Sequence, residues 1–190
     1  MRRRITQSIH VGNVEVGGNS NITVQSMTKT DTRDVKATTH EIKLLEEAGC
    51  EIVRCAVPDI EAAKALKEIK KQSKIPIVAD IHFHHQIALE AMKSGVDCLR
   101  LNPGNIRDPE KVKMVVNGAK DRKIPIRIGV NFGSLPPVGG IGKTKGLSRH
   151  ADGVNLLDKG SQNAGSYSAV DHMVATGLWE IGILESLDFN

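Results

Sequence analysis

Ile75-Pro76-Ile77-Val78-Ala79-Asp80-Ile81-His82-Phe83 is the stretch on which the fold turns. It is an apolar run of strand length, and a strand of a parallel sheet, covered on both faces, should be apolar almost throughout. This one carries Asp80 and His82. Side chains along a strand alternate faces with a period of two, so Asp80 and His82 share one face and Ile81 and Phe83 the other. Three further runs repeat the pattern: Glu51–Val57 carries Arg54, Asp97–Leu101 carries Arg100 with Asn102 just beyond, and Ile124–Val130 carries Arg127 with Asn131 just beyond. Only Ile22–Met27 lacks a charge.

Between these runs the apolar spacing is helical. A first helix is expected from about Val35 to Ala48, stopped by Gly49. A second follows Pro58-Asp59, with Ala62, Ala65, Leu66 and Ile69 inward. A third carries Ile87, Ala88, Ala91 and Met92 and stops at Gly95. The fourth is the clearest, with Asp108 as N-cap, Pro109 as first helical residue and Val112, Val115, Val116 and Ala119 on one face. A fifth is expected near Ala169–Ser186, where Val170, Val174, Leu178, Ile181 and Leu184 share a face. A small hairpin around the turn Gly12-Asn13 should precede the main fold, between His10 and Gly18.

Strand and helix in alternation mean parallel βαβ units. A doubly wound open sheet fits that pattern, and so does most of a (β/α)8 barrel, which would need three more strands. Periodicity does not choose between them; the polar residues favour the barrel. They fall towards the C-terminal halves of their strands, the end at which barrel enzymes place their chemistry. One arginine there could reach solvent or a local acid. Three arginines with one aspartate among them are harder to satisfy, because an unpaired buried charge costs about 3–5 kcal/mol. Arginine suits bidentate phosphate recognition, and several suit a diphosphate. The fold expected is therefore α/β, an incomplete TIM-type (β/α)8 barrel of about five βα units after a short hairpin, its mouth built for a polyanion.

Composition narrows the partners. The 190 residues are 39% hydrophobic and 25% charged with a net charge of +4, an ordinary balance for one soluble domain. Aromatic content of 3% leaves no stacking platform for single-stranded nucleic acid, and no run approaches membrane-spanning length. Cys50, Cys55 and Cys98 include no Cys-x-x-Cys pair and give no disulfide framework, so a reducing, cytoplasmic setting is expected.

Six fragments in order complete the reading: Val24-Gln25-Ser26-Met27-Thr28 with Thr30-Asp31-Thr32, Glu51-Ile52-Val53-Arg54, Asp80-Ile81-His82-Phe83, Leu99-Arg100-Leu101-Asn102-Pro103-Gly104-Asn105, Arg127-Ile128-Gly129-Val130-Asn131 and Gly133-Ser134-Leu135. Together they resemble 4-hydroxy-3-methylbut-2-enyl diphosphate synthase over roughly residues 5–135. The resemblance implies an oxidoreductase of the non-mevalonate route to isoprenoids. Such enzymes convert 2-C-methyl-D-erythritol 2,4-cyclodiphosphate to 4-hydroxy-3-methylbut-2-enyl diphosphate by reductive ring opening with loss of water. Their electrons come from flavodoxin or ferredoxin through a [4Fe–4S] cluster, and the complete enzyme is expected to be a homodimer. By motif match, Arg54, Arg100, Asn102, Arg127 and Asn131 should bind the substrate. Asp80 and His82 are the candidate catalytic pair, Asp80 orienting substrate or an arginine and His82 hydrogen bonding to phosphate or acting as an acid. Gln25, Ser26 and Met27 should shape the pocket floor.

The likeness breaks in two places. Residues 138–167 are rich in Gly, Lys and Ser and read as a flexible or divergent insertion. Within them Gly142-Lys143-Thr144 is not a phosphate-binding loop, because Pro137 stands where its first glycine is required. Second, the three cysteines cannot replace a cluster domain. The expectation is a partial barrel with the iron–sulfur domain absent, holding at most part of the substrate and inactive alone. Competing readings are a redox-independent barrel for another phosphorylated or pterin substrate, and a non-catalytic remnant that acts only by association.

Overall fold

The structure, a computed structural model, describes residues 5–81, 84–101, 106, 108–131 and 169–189. Its elements run β1 (Ser8–Val11), β2 (Val14–Gly17), β3 (Gln25–Met27), α1 (Val35–Glu47), β4 (Ile52–Ala56), α2 (Ile60–Gln72), β5 (Ile77–Asp80), α3 (His85–Lys93), β6 (Cys98–Leu101), α4 (Pro109–Arg122), β7 (Ile126–Ile128) and α5 (Ala169–Glu185). The chain divides into two compact units, residues 1–101 with 118–127 and residues 102–117 with 128–190. Among the described residues no helix is long and apolar enough to cross a membrane.

The helices begin and end where local chemistry dictates. Asp34 accepts from the Ala37 N–H at 2.9 Å and Asp59 from the Ala62 N–H at 2.8 Å, each satisfying a donor that the first turn leaves open. Asp108 does the same for the Glu110 N–H at 3.1 Å. Past the ends of α1 and α3, Gly49 and Gly95 take φ of 91° and 86°, left-handed values that a side chain would strain. The expected inward faces of α3 and α4 are buried. In α2 the buried set is Ala62, Ala63, Leu66 and Ile69, with Ala63 in the place expected for Ala65, which is half-buried. In the second unit the expected face of α5 is buried only at Leu184. Val170, Val174, Leu178 and Ile181, which mark it as a helix, are exposed, whereas His172, Ala175, Thr176, Glu180, Ile183 and Leu184 are buried.

The large sheet runs in the order β3-β4-β5-β6-β7, and the pairings from β3 to β6 are parallel. Each strand lies beside the one before it, with a helix between. A doubly wound sheet reverses its strand order at a switch point; this one does not. The sequential order is that of a barrel wall, five strands of it.

The hairpin β1–β2 forms its own two-stranded antiparallel sheet, closed by Gly12-Asn13 between paired Val11 and Val14. Gly12 is required there twice over. Its φ is 59°, and a Cβ would come within 2.9 Å of Asp97 Oδ1. Asp97 is itself held, accepting from the Ile77 N–H at 2.7 Å and pairing with Lys70 Nζ. Val11 packs into a buried cluster with Ile52, Val78 and Cys98, flanked by Val14 and Val16. These three strand residues share parity with Arg54, Asp80 and Arg100. The hairpin thus covers the polar face of the wall at the end where its strands begin.

Candidate functional site

Register carries the polar residues to the other end of that face. Met27 pairs with Arg54 and Arg54 with Val78, while Ala56 pairs with Asp80 and Asp80 with Arg100. Arg54 therefore lies one inward-facing step before Asp80 on the neighbouring strand, and Arg100 lies level with it on the strand beyond. Both reach the same carboxylate. Arg54 Nε stands 3.3 Å from Asp80 Oδ2, and Arg100 Nη1 donates to Asp80 Oδ1 at 3.1 Å. Asp80 and Arg100 are 2% and 8% exposed, so this pair is largely removed from water. Arg54 is more open and also donates from Nε and Nη2 to the Met27 thioether, at 3.3 and 3.1 Å.

Arg127 joins the face from β7. Its Nη1 donates to Gln25 Oε1 on β3, so a hydrogen bond runs between the two marginal strands of the sheet. Gln25 and Met27 share parity, which places their partners Arg127 and Arg54 on one side of the wall. The thiol of Cys98 reports the same neighbourhood: burial pushes it up to about 11, and the Arg127 cation opposes that rise. Arg54, Asp80, Arg100 and Arg127 together carry three positive charges and one negative. Gln25 was expected only to shape the pocket floor. Its parity with Met27 was readable in the sequence, but its pairing with a residue 102 positions away was not.

The loop leaving β3 is tied to its surroundings. Glu41 on α1 accepts from the Lys29 and Thr30 N–H groups, at 3.0 Å for each. Burial works against the Glu41 carboxylate, yet the hydrogen bonds from Lys29 and Thr30 outweigh it and hold its pKa below the usual value. Thr32 Oγ1 donates to the Ala56 carbonyl at 2.6 Å, fixing the loop to the end of β4. On the exposed rim Arg33 bridges Asp31 and Asp59, at 2.6 and 3.2 Å.

The remaining expected site residues lie outside the described residues or in the second unit. His82 and Asn102 lie outside the described residues, as does all of 138–167. Asn131 is exposed and belongs to the second unit. The three cysteines do not fit an iron–sulfur cluster. Cys98 shares the parity of Arg100 whereas Cys55 is out of step with Arg54, so their sulfurs face opposite sides of the sheet. Burial holds both thiols up at about 11, disfavouring the thiolates a cluster needs. Cys50 is buried and donates to the Ile52 carbonyl. Among the described residues no group of three His, Cys, Asp or Glu side chains is placed to hold a metal ion.

Comparison with known proteins adds three findings. The family described as GcpE TIM-barrel domain matches residues 6–190. A 4-hydroxy-3-methylbut-2-en-1-yl diphosphate synthase (flavodoxin) of Thermodesulfovibrio yellowstonii is 65% identical over 136 residues, 72% of this chain and 39% of the relative. The protein of that name from Bacillus mycoides is 50% identical over 189 residues, 100% of this chain and 46% of the relative. The chain thus spans less than half the length of these relatives. Among solved structures, 7,8-dihydropteroate synthase from Vibrio fischeri superposes with a TM-score of 0.50 at 13% identity, over 65% of this chain and 48% of that one. That likeness concerns the fold alone.

Proposed function

This chain belongs to the GcpE TIM-barrel domain family, and from that premise we propose that it provides the anion-holding barrel wall of a 4-hydroxy-3-methylbut-2-en-1-yl diphosphate synthase. The reaction proposed is the two-electron reductive opening of 2-C-methyl-D-erythritol 2,4-cyclodiphosphate, with loss of water, to give the linear allylic diphosphate. The names of its relatives support flavodoxin as the electron donor. The [4Fe–4S] chemistry belongs to residues other than the three cysteines here. In the complete enzyme, a homodimer in this proposal, the present residues bind and orient.

The observation that carries the reading is the sharing of Asp80 by Arg54 and Arg100, with Arg127 on the same face held by a neutral amide. One carboxylate cannot neutralise three guanidiniums. Two positive charges remain among these four groups, on a face whose other described strand residues are uncharged, which matches a doubly charged diphosphate. Asp80 is already engaged, so its role is to fix the two guanidiniums at a set separation rather than to take a proton. Arg54, Arg100 and Arg127 contact phosphate oxygens, with Asn102, Asn131 and His82 assisting by hydrogen bonds.

Titration calorimetry with the cyclodiphosphate tests this. Arg100→Ala and Arg127→Ala should each weaken binding by about 1.5–3 kcal/mol, the range for hydrogen bonds to charged groups. Unchanged affinity in both variants would discard the site.

A further inference from the structure

The three arginines are not held alike. Asp80 takes up Arg54 and Arg100, and part of their charge with them, whereas Arg127 is held by the uncharged Gln25. We propose that Gln25 is a positioning residue that extends Arg127 across the inner face of the wall, ready for phosphate, without neutralising it. This rests on the anion-binding reading above and adds to it the means by which one arm is aimed.

The chemistry of the amide suits the task. Arginine only donates, so the Gln25 oxygen must be the acceptor and its NH2 is left pointing elsewhere, with two donors to offer the same anion. Only one of the five guanidinium N–H groups is spent on Gln25, and an edge remains for bidentate contact. A free arginine side chain has many rotamers to lose on being fixed. Holding it before the ligand arrives moves that loss out of the binding step. A carboxylate at position 25 would hold Arg127 as well but would cancel its charge. Because β3 and β7 are the two margins of the sheet, the bond also spans the face on which Arg54, Asp80 and Arg100 lie.

The test is calorimetric titration of the chain with inorganic pyrophosphate, a probe of the charge alone. Wild type is compared with Gln25→Ala, Gln25→Glu, Arg127→Ala, Gln25→Ala/Arg127→Ala and Arg54→Ala. Gln25 is exposed, so its substitution leaves the core intact, and matched thermal melts verify that. Gln25→Ala should weaken binding about 2- to 10-fold, the range for ordering one rotamer-rich side chain. Gln25→Glu should weaken it more and flatten the dependence of affinity on salt. In the Arg127→Ala background, loss of Gln25 should change nothing further. Wild-type affinity in Gln25→Ala, or independent effects in the double variant, would overturn the positioning role while leaving the anion site standing. Failure of wild type to bind, or indifference to Arg54→Ala and Arg127→Ala alike, would overturn the site and this inference with it.

Discussion

One face of the sheet has two ends, and they are built from opposite materials. Where the strands begin, Ile52, Val78 and Cys98 meet Val11 of the hairpin in a dry cluster. One inward-facing step further along the same strands stand Arg54, Asp80 and Arg100. A spacing of two residues separates core from charge on each strand. Apolar core and charge are thereby stacked along a single face, and Asp80 ties the two arginines to each other there.

The harshest way to break that division is Asp80→Ala, which strands Arg100 and deprives Arg54. It should lower the unfolding free energy in urea by about 3–5 kcal/mol, the range for removing one partner of a buried pair. A loss under about 1 kcal/mol would show that the charged end contributes little to the fold. Arg100→Ala and Arg127→Ala sharpen the contrast within that end. Both should weaken diphosphate binding, but only Arg100→Ala should also lower stability, because only Arg100 is buried against a carboxylate.

At the covered end, Ile52→Val should cost about 0.5–1.5 kcal/mol of stability and leave pyrophosphate affinity unchanged. Any change in affinity would mean that the two ends are coupled. The smallest effect concerns the buried thiols. Burial raises the Cys55 and Cys98 thiols from about 9 to about 11, so both are protonated in either state only well below pH 9. As pH rises from there towards 11 the unfolded thiols lose their protons first, and stability should fall across that window in pH-dependent melts. Cys55→Ala/Cys98→Ala should remove that part of the decline.

Much of this was legible in the sequence because the signals are local. Carboxylate N-caps, glycine stops, the Gly12-Asn13 turn and the alternation within each strand are short-range facts, and each element stands where they put it. Parity placed Arg54, Arg100 and Arg127 on a common side, but parity says nothing of register. That Asp80 lies level with Arg100 and one step beyond Arg54 depends on how strands pair, and so does the sharing of one carboxylate. The bond from Gln25 to Arg127 joins the sheet margins and has no local signature. In α5 the apolar spacing identified the helix, yet it could not say which face would be covered; Val170 and Val174 are outside, and Thr176 and Glu180 inside.

The hairpin beneath the wall has a consequence for traffic. With Val11, Val14 and Val16 packed against Ile52, Val78 and Cys98, the described wall is capped where its strands begin. A guest bound as proposed would arrive from the ends of the strands, the side away from the hairpin.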